Sequence, residues 1–329
     1  MSTEPEVPAI ADVRLAAARI AGRAVATPLL SNAYLDERVR GRVLLKCETL
    51  QRTGSFKFRG ACNAIAAIPA EERAKGVVAV SSGNHAQGVA EAARLFGIPA
   101  TIVMPSDAPA IKRLRTERSG AVIVDYDRKT EDREAIAARI LAERGGTLIH
   151  PYNDTLVIAG QGTIGLEIVA DCERHGISPD AVLVPCGGGG LSAGVGLAIR
   201  SEFADTPVWL VEPEGFDDYA RSLQAGRDVQ NTLAAGSVCD ALLAPSPGPI
   251  GFALNRKNAS GAISVSDREA LAAVAFAFRE LKLVVEPGGA VALAALLAGR
   301  FDCRDRTVVA VLSGGNIDET MLQRALALG

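Results

Sequence analysis

The sequence predicts an α/β protein built on two doubly wound, mostly parallel open sheets, with the active site in the cleft between them. Three observations lead there. Short β-type runs alternate with helical segments along most of the chain, which means parallel sheets covered on both faces. The alternation comes in two blocks, one within residues 76–149 and one in the remainder. The chain has 329 residues, 48% hydrophobic, with 33 glycines, enough for two lobes around buried cores. Residues 1–75 and 150–329 are therefore expected to form a large domain and 76–149 a small mobile one. The cleft between two such lobes is the default ligand site.

Taken in order, Val13 to Arg23 repeats apolar residues at helical spacing, and Val43–Cys47 reads as a strand. A helix follows from the turn-prone Thr53-Gly54-Ser55. In the small block the strand Val77–Val80 leads through Ser81-Ser82-Gly83-Asn84 to a helix from His85 to Phe96. The strand at 100–103 precedes a helix near Ile111–Arg118, and the strand at 121–124 precedes the helix Glu131–Arg144. Thr147-Leu148-Ile149 closes the set. Beyond it come a helix from Ile164 to His175, a strand from Ala181 to Val184, a helix from Leu191 to Arg200 and a strand from Val208 to Val211. Asp228 to Asn258 reads as irregular, punctuated by Pro245, Pro247, Gly248 and Pro249. Ser266 and Glu269 form a capping-box pattern that opens a helix through Glu280. Thr307–Leu312 is a last buried strand, ending at Ser313-Gly314-Gly315-Asn316.

Composition narrows the function. A net charge of −3 with no basic tract argues against a nucleic-acid partner. The apolar stretches are short and broken by glycine, so no membrane span is expected. Met1 to Ala9 lacks a signal core. Six scattered cysteines without a C-x-x-C pair suggest core thiols in a reducing cytoplasm. His85, His150 and His175 show no zinc spacing.

Two stretches carry chemistry. In Gly54-Ser55-Phe56-Lys57-Phe58-Arg59-Gly60-Ala61 a lysine begins a helix that enters a core. Desolvation there lowers an ammonium's pKa and frees an amine nucleophile for a carbonyl cofactor. The alternative is a lysine whose stem packs on phenylalanine while its charge reaches water. Gly187-Gly188-Gly189-Gly190-Leu191 lies between a strand and a helix, where successive N–H groups and a helix N-terminus form a phosphate cradle. Gly160-Gln161-Gly162-Thr163-Ile164-Gly165 also fits the dinucleotide pattern G-x-G-x-x-G. The acidic residue it would need could only be Asp180, which precedes a strand rather than ending one. Close packing of a helix N-terminus against the sheet explains these glycines as well.

Together with Ser81-Ser82-Gly83-Asn84-His85, Glu286-Pro287-Gly288-Gly289-Ala290 and Ser313-Gly314-Gly315-Asn316, these motifs stand in one order over about Thr27 to Asn316. In that order they resemble the pyridoxal-phosphate-dependent serine/threonine dehydratase and serine racemase family, of the tryptophan-synthase-β fold type (fold type II). The resemblance implies that Lys57 binds pyridoxal 5′-phosphate as a Schiff base and then shuttles the Cα proton. Gly187, Gly188, Gly189, Gly190 and Leu191 would bind the phosphate, Asn84 the 3′-oxygen and Ser313 the pyridine nitrogen, with Phe56 near the ring. Ser81, Ser82, Asn84 and His85 would receive the substrate carboxylate at a helix N-terminus.

The implied reaction eliminates water from serine, threonine or 3-hydroxyaspartate to give a 2-keto acid and ammonia. The alternative is an amino-acid racemase, with Lys57 and Ser82 on opposite faces of the cofactor. Arg133 resembles an arginine near the substrate in racemases, where it would pair with a second carboxylate; otherwise it is a solvated helix residue. Glu212, Phe216 and Asp218 resemble a divalent-cation site whose all-oxygen ligation suits Mg²⁺ or Ca²⁺, against the plain reading of an acidic solvated loop. The segment Ala234–Asp240 departs from the family pattern beside the substrate pocket, which leaves the substrate open. A homodimer without a regulatory domain is the expected assembly.

Overall fold

The structure, a computed structural model, describes residues 5–328. Among the described residues, ten strands form two sheets. They are β1 (Leu29–Ser31), β2 (Arg42–Cys47), β3 (Val77–Val80), β4 (Ala100–Pro105), β5 (Val122–Tyr126), β6 (Thr147–Leu148), β7 (Ala181–Pro185), β8 (Val208–Pro213), β9 (Ala259–Val265) and β10 (Thr307–Leu312). The larger sheet runs β1-β2-β10-β7-β8-β9 and only β1 is antiparallel to its neighbour. The smaller runs β5-β4-β3-β6, all parallel. The expected α/β architecture with two mostly parallel sheets is thus present.

The central strands are apolar on both faces because helices cover both. All of β7, and β10 from Val308 to Leu312, is buried. Each fully buried Val or Leu contributes about 1.5–3 kcal/mol, so these strands anchor the larger lobe. Helix Lys57–Ala66 does not share that core. Its Phe58, Ala61, Cys62 and Ile65 pack with Val77, Ala79 and Ile102 of the smaller sheet and with Ala86, Val89 and Ala93 of helix Asn84–Phe96.

Several elements escaped the sequence pattern. Residues 228–258 are not irregular throughout: Pro249, at the first helical position, opens helix Pro249–Asn258. Strand β9 follows directly. Its Ala-Ser-Gly-Ala start carries little β signal, and Gly261 is needed because a Cβ there would stand 2.6 Å from the Trp209 ring. Helix Thr155–Arg174 begins nine residues earlier than Ile164, capped by Asp154 accepting from the Val157 N–H. It is long and apolar enough to cross a membrane, but Val157 to Gly165 is buried among other helices, so its apolarity serves packing.

That earlier start resolves the G-x-G-x-x-G stretch. Gly160, Gly162 and Gly165 lie inside a helix, not in a nucleotide loop. A Cβ on Gly160 would stand 2.7 Å from the Arg59 carbonyl oxygen. On Gly162 it would meet the Gly194 carbonyl oxygen at 2.9 Å, and on Gly165 the Ala198 Cβ at 2.7 Å. The glycines let this helix lie backbone to backbone against helices Lys57–Ala66 and Gly190–Glu202. The partner is therefore helical, where the sequence suggested a sheet.

Parallel strands place their following loops at one end, the usual position of ligands in such sheets. Ser81–Asn84 follows β3, His150 follows β6, Gly187–Gly190 follows β7 and Ser313 follows β10.

Candidate active site

Lys57 is the first residue of its helix, immediately after Phe56. The turn before it is built from left-handed residues, Thr53 (φ 65°) and Gly54 (φ 73°). Ser55 forms a β-bridge to Gly314, and the Phe56 N–H donates to the Ser313 carbonyl at 3.0 Å. The start of the lysine helix is thereby pinned to the end of β10. Lys57 Nζ donates to the Pro151 carbonyl at 2.8 Å and lies 5.0 Å from the Phe56 ring centroid. Burial lowers its pKa to about 8, with the Glu286 carboxylate opposing the shift. About a tenth of such an amine is neutral at pH 7, against less than a thousandth of an ordinary lysine.

The Ser81–His85 loop lies at the N-terminus of helix Asn84–Phe96. Ser81 Oγ accepts from the Gly83 N–H at 3.1 Å, while no protein group among the described residues hydrogen-bonds the Ser82 hydroxyl. Asn84 Nδ2 donates to Glu286 at 2.6 Å, and Asn84 Oδ1 accepts from Asn316 Nδ2 at 2.8 Å. His85 is buried, with Nε2 bonded to the Ile149 carbonyl at 2.7 Å. Burial, then the Lys57 charge, drives its pKa down to about 3 despite that bond. It is therefore a neutral ring that orients the loop rather than a cation.

The glycine loop has no room for side chains. A Cβ on Gly188 would stand 2.4 Å from the Tyr152 ring, and one on Gly189 1.7 Å from the Tyr219 hydroxyl. Gly189 also has φ +86°. Among the described residues, the N–H groups of Gly187, Gly188 and Gly189 donate to no protein acceptor. Unsatisfied donors in a side-chain-free bend, with Leu191 buried in the helix turn behind it, suit a phosphate. Pro151 and Tyr152, consecutive in sequence, touch the lysine amine and the cradle respectively. They bring the two halves of the site together. Ser313 is buried at the end of β10, its hydroxyl likewise unbonded by protein among the described residues.

Sequence reasoning missed His150, Tyr152 and the Glu286 side chain. Glu286 is buried and its pKa rises to about 7, chiefly through burial and the nearby Asp240 charge. His150 Nδ1 accepts from the backbone N–H groups of Asn153 (2.8 Å) and Tyr152 (3.3 Å). Its pKa falls to about 4 through burial and the positive charges of Lys57 and Arg133. Arg133 begins helix Arg133–Arg144, is exposed, and pairs only loosely with Glu134 at 3.5 Å.

Glu212 and Asp218 are both fully buried. Glu212 accepts from the Tyr219 and Ala220 N–H groups, each at 2.9 Å. Asp218 Oδ1 accepts from Asn231 Nδ2 at 2.7 Å, and Asp218 Oδ2 is buried without a partner. Burial pushes the Glu212 carboxyl well up and that of Asp218 to about 6. Phe216 is buried between them in sequence. Among the described residues, no group of three or more His, Cys, Asp or Glu side chains could hold a metal ion.

The family model described as "Pyridoxal-phosphate dependent enzyme" matches residues 20–314. The chain is 44% identical over 307 residues to an L-threo-3-hydroxyaspartate ammonia-lyase from Pseudomonas sp., covering 93% of this chain and 95% of the relative. It superposes on a T.th. threonine deaminase with a TM-score of 0.89 at 44% identity, covering 94% and 99% of the two chains. It superposes on maize serine racemase with a TM-score of 0.91 at 37% identity, covering 98% of each.

Proposed function

The chain belongs to the pyridoxal-phosphate-dependent enzymes, and on that premise we propose that it is a dehydratase acting as an ammonia-lyase. It eliminates water from a small β-hydroxy amino acid and releases a 2-keto acid and ammonia. The names of its relatives support this class: L-threo-3-hydroxyaspartate ammonia-lyase and threonine deaminase. The observation that carries the reading is the partly neutral Lys57 amine, joined through Pro151-Tyr152 to a glycine bend with three unsatisfied N–H groups.

The cofactor supplies an electron sink for the pair left on Cα when its proton departs. The residues do the rest. Gly187 to Gly190, with the helix turn at Leu191, would hold the phosphate; Asn84 and Ser313 would hold the ring's oxygen and nitrogen, and Phe56 would lie beside it. Because Ser313 is a hydroxyl and not a carboxylate, it does not force a proton onto that nitrogen. The weaker electron sink would favour prompt loss of the β-hydroxyl as water. Lys57 would anchor the cofactor's aldehyde carbon and, as a partly neutral amine, would take the Cα proton, a transfer worth about 10²–10⁴ in rate. Ser81, Ser82 and the N–H groups opening the next helix take the α-carboxylate, with neutral His85 bracing them. Arg133 would pair with a second carboxylate, as the resemblance implies.

A racemase reading has one observation in its favour. The Ser82 hydroxyl is unclaimed by protein among the described residues, so it would be free to return a proton if, as the resemblance implies, it stands on the cofactor face opposite Lys57. For the cation, Glu212, Asp218 and the Phe216 carbonyl would ligate Mg²⁺ or Ca²⁺. The unpartnered Asp218 Oδ2 and two desolvated carboxylates are what such an ion would satisfy. EDTA treatment is expected to lower the melting temperature and the activity; no change in either removes the metal. The reading also takes residues 76–149 as the mobile small domain and the enzyme as a cytoplasmic homodimer. The six buried free thiols suit a reducing compartment.

The deciding experiment measures keto-acid release from serine, threonine and the 3-hydroxyaspartate stereoisomers. The purified protein should be yellow and bleach with borohydride. Lys57→Ala should lower turnover by at least about 10²–10⁴-fold, and undiminished keto-acid release from that variant contradicts the role given to Lys57.

A further inference from the structure

The glycine bend is held from behind by side chains that none of the roles above uses. The Gly188 carbonyl accepts from the Tyr219 hydroxyl at 3.4 Å and from the Gly248 N–H at 3.1 Å. The Gly189 carbonyl accepts from the Ala193 N–H at 3.0 Å, the Ser192 hydroxyl at 3.1 Å and Asn255 Nδ2 at 3.2 Å. Asn255 Nδ2 also donates to Ser192 Oγ at 3.0 Å. A carbonyl only accepts, so the end of the Asn255 amide that faces it is the nitrogen. Asn255, Ser192 and Tyr219 are all buried, so solvent does not compete for these bonds. Asn255 belongs to helix Pro249–Asn258, and Gly251, one turn earlier on the same face, lets that helix press on the bend. A Cβ on Gly251 would stand 3.0 Å from the Tyr219 hydroxyl and 3.2 Å from the Gly189 carbonyl.

In a trans peptide the N–H points opposite to the C=O. Holding the Gly188 and Gly189 carbonyls on the side of Tyr219 and Asn255 therefore turns the Gly189 and Gly190 N–H groups the other way. There no protein acceptor meets them among the described residues. Glycine alone would not keep that orientation, because its backbone is the least restricted of any residue. We propose that Asn255, with Ser192 and Tyr219, is a positioning residue for the phosphate: it fixes two peptide planes so that their N–H groups are aimed before the cofactor arrives. The ordering entropy of the bend is then lost on folding and not on binding. This rests on the glycine bend as the phosphate site and adds the residues that shape it; the identity of the substrate does not enter.

The test takes the full-length holoenzyme, resolves it with hydroxylamine and titrates it with pyridoxal 5′-phosphate or with pyridoxal, which has the same aldehyde and ring but no phosphate. Absorbance gives both affinities, and the readout is their ratio, which a merely structural role would leave alone. Asn255→Leu, similar in volume and without a donor, is expected to lower the preference for pyridoxal 5′-phosphate about 10-fold while pyridoxal binds as before. Ser192→Ala and Tyr219→Phe remove one hydroxyl each and should give smaller losses in the same direction. Inorganic phosphate competing with pyridoxal 5′-phosphate should be needed at a correspondingly higher concentration in Asn255→Leu. An unchanged ratio, or equal losses for the two ligands, makes Asn255 a packing residue and overturns the proposal. Should Asn255→Leu fail to fold, the ratios of Ser192→Ala and Tyr219→Phe decide, and parental values in both overturn it. A parent that binds pyridoxal as tightly as its phosphate ester removes the bend as the phosphate site and this proposal with it. Keto-acid release, scored separately, judges the lyase reading.

Discussion

At the scale of single residues, proton traffic in this site depends on groups that other protein atoms leave free. The Lys57 amine is bonded only to a backbone carbonyl among the described residues, and its depressed pKa comes first from burial. Ser82 lies one residue after Ser81 in the loop following β3 and keeps its hydroxyl unengaged. Ser82→Ala is expected to suppress any racemisation of L-serine while sparing elimination, read by chiral analysis of recovered serine beside keto-acid release. Persistent D-serine formation in that variant assigns the second proton donor elsewhere. Lys57 and the glycines were legible in the sequence because each announces itself locally, as a charge in an apolar run or as a backbone-special turn, whereas Ser313 was singled out only through the resemblance. His150 and Tyr152 were not. Their meaning lies in the Tyr152 ring against Gly188 and in His150 Nδ1 receiving the Tyr152 and Asn153 N–H groups, which no local pattern encodes.

At the scale of elements, the lysine helix is held by charge as well as by packing. Arg59, two residues after Lys57, is 1% exposed. Its guanidinium donates to both carboxylate oxygens of Glu48 at 2.8 Å and to Glu167 at 2.6 and 2.8 Å. Lys46 Nζ donates to Glu167 at 2.6 Å and to the Thr27 carbonyl at 2.6 Å. The four charges tie β2, helix Lys57–Ala66 and helix Thr155–Arg174 together. Arg59→Met leaves Glu48, which is 0% exposed, without its cation. The expected loss is about 3–5 kcal/mol of stability, measured by urea unfolding; a loss under about 1 kcal/mol would show that the network relaxes around the gap. Lys46 within the apolar run Val43–Cys47 was the one visible hint. Its partners lie 19 and 121 residues away, so the hint could not be completed from the chain alone.

At the scale of the molecule, the two sheets meet where Asn84 donates to Glu286 and Lys112 pairs with Asp240 at 2.8 Å. Glu286 makes this junction sensitive to pH. Its pKa rises from 4.5 to about 7 on folding, so between these values the folded state holds a proton that the unfolded state has lost. The associated stabilisation is complete below about pH 4.5 and is lost as the pH rises through 7, on the order of 3 kcal/mol in all. Urea unfolding of the cofactor-free protein at pH 5 and pH 8 should show this loss as a difference from a variant lacking the Glu286 carboxyl, since the depressed His85 and His150 move the total profile the other way. Glu286→Gln should flatten it, and an unaltered profile places the titration elsewhere. The two-sheet architecture was readable from alternating strands and helices, whereas this junction was not, since Asn84 and Glu286 stand 202 positions apart. The seam between helices Lys57–Ala66 and Thr155–Arg174 also bears on the whole molecule. A Cβ on Gly60 would stand 2.8 Å from the Val157 carbonyl oxygen, as one on Gly160 would crowd Arg59. With no slack at either point, a single added methyl would act as a lever on the amine. Inactivating substitutions would then gather along a line of glycines that never meets the substrate, and a survey of damaging variants would outline this joint as clearly as the chemistry it supports.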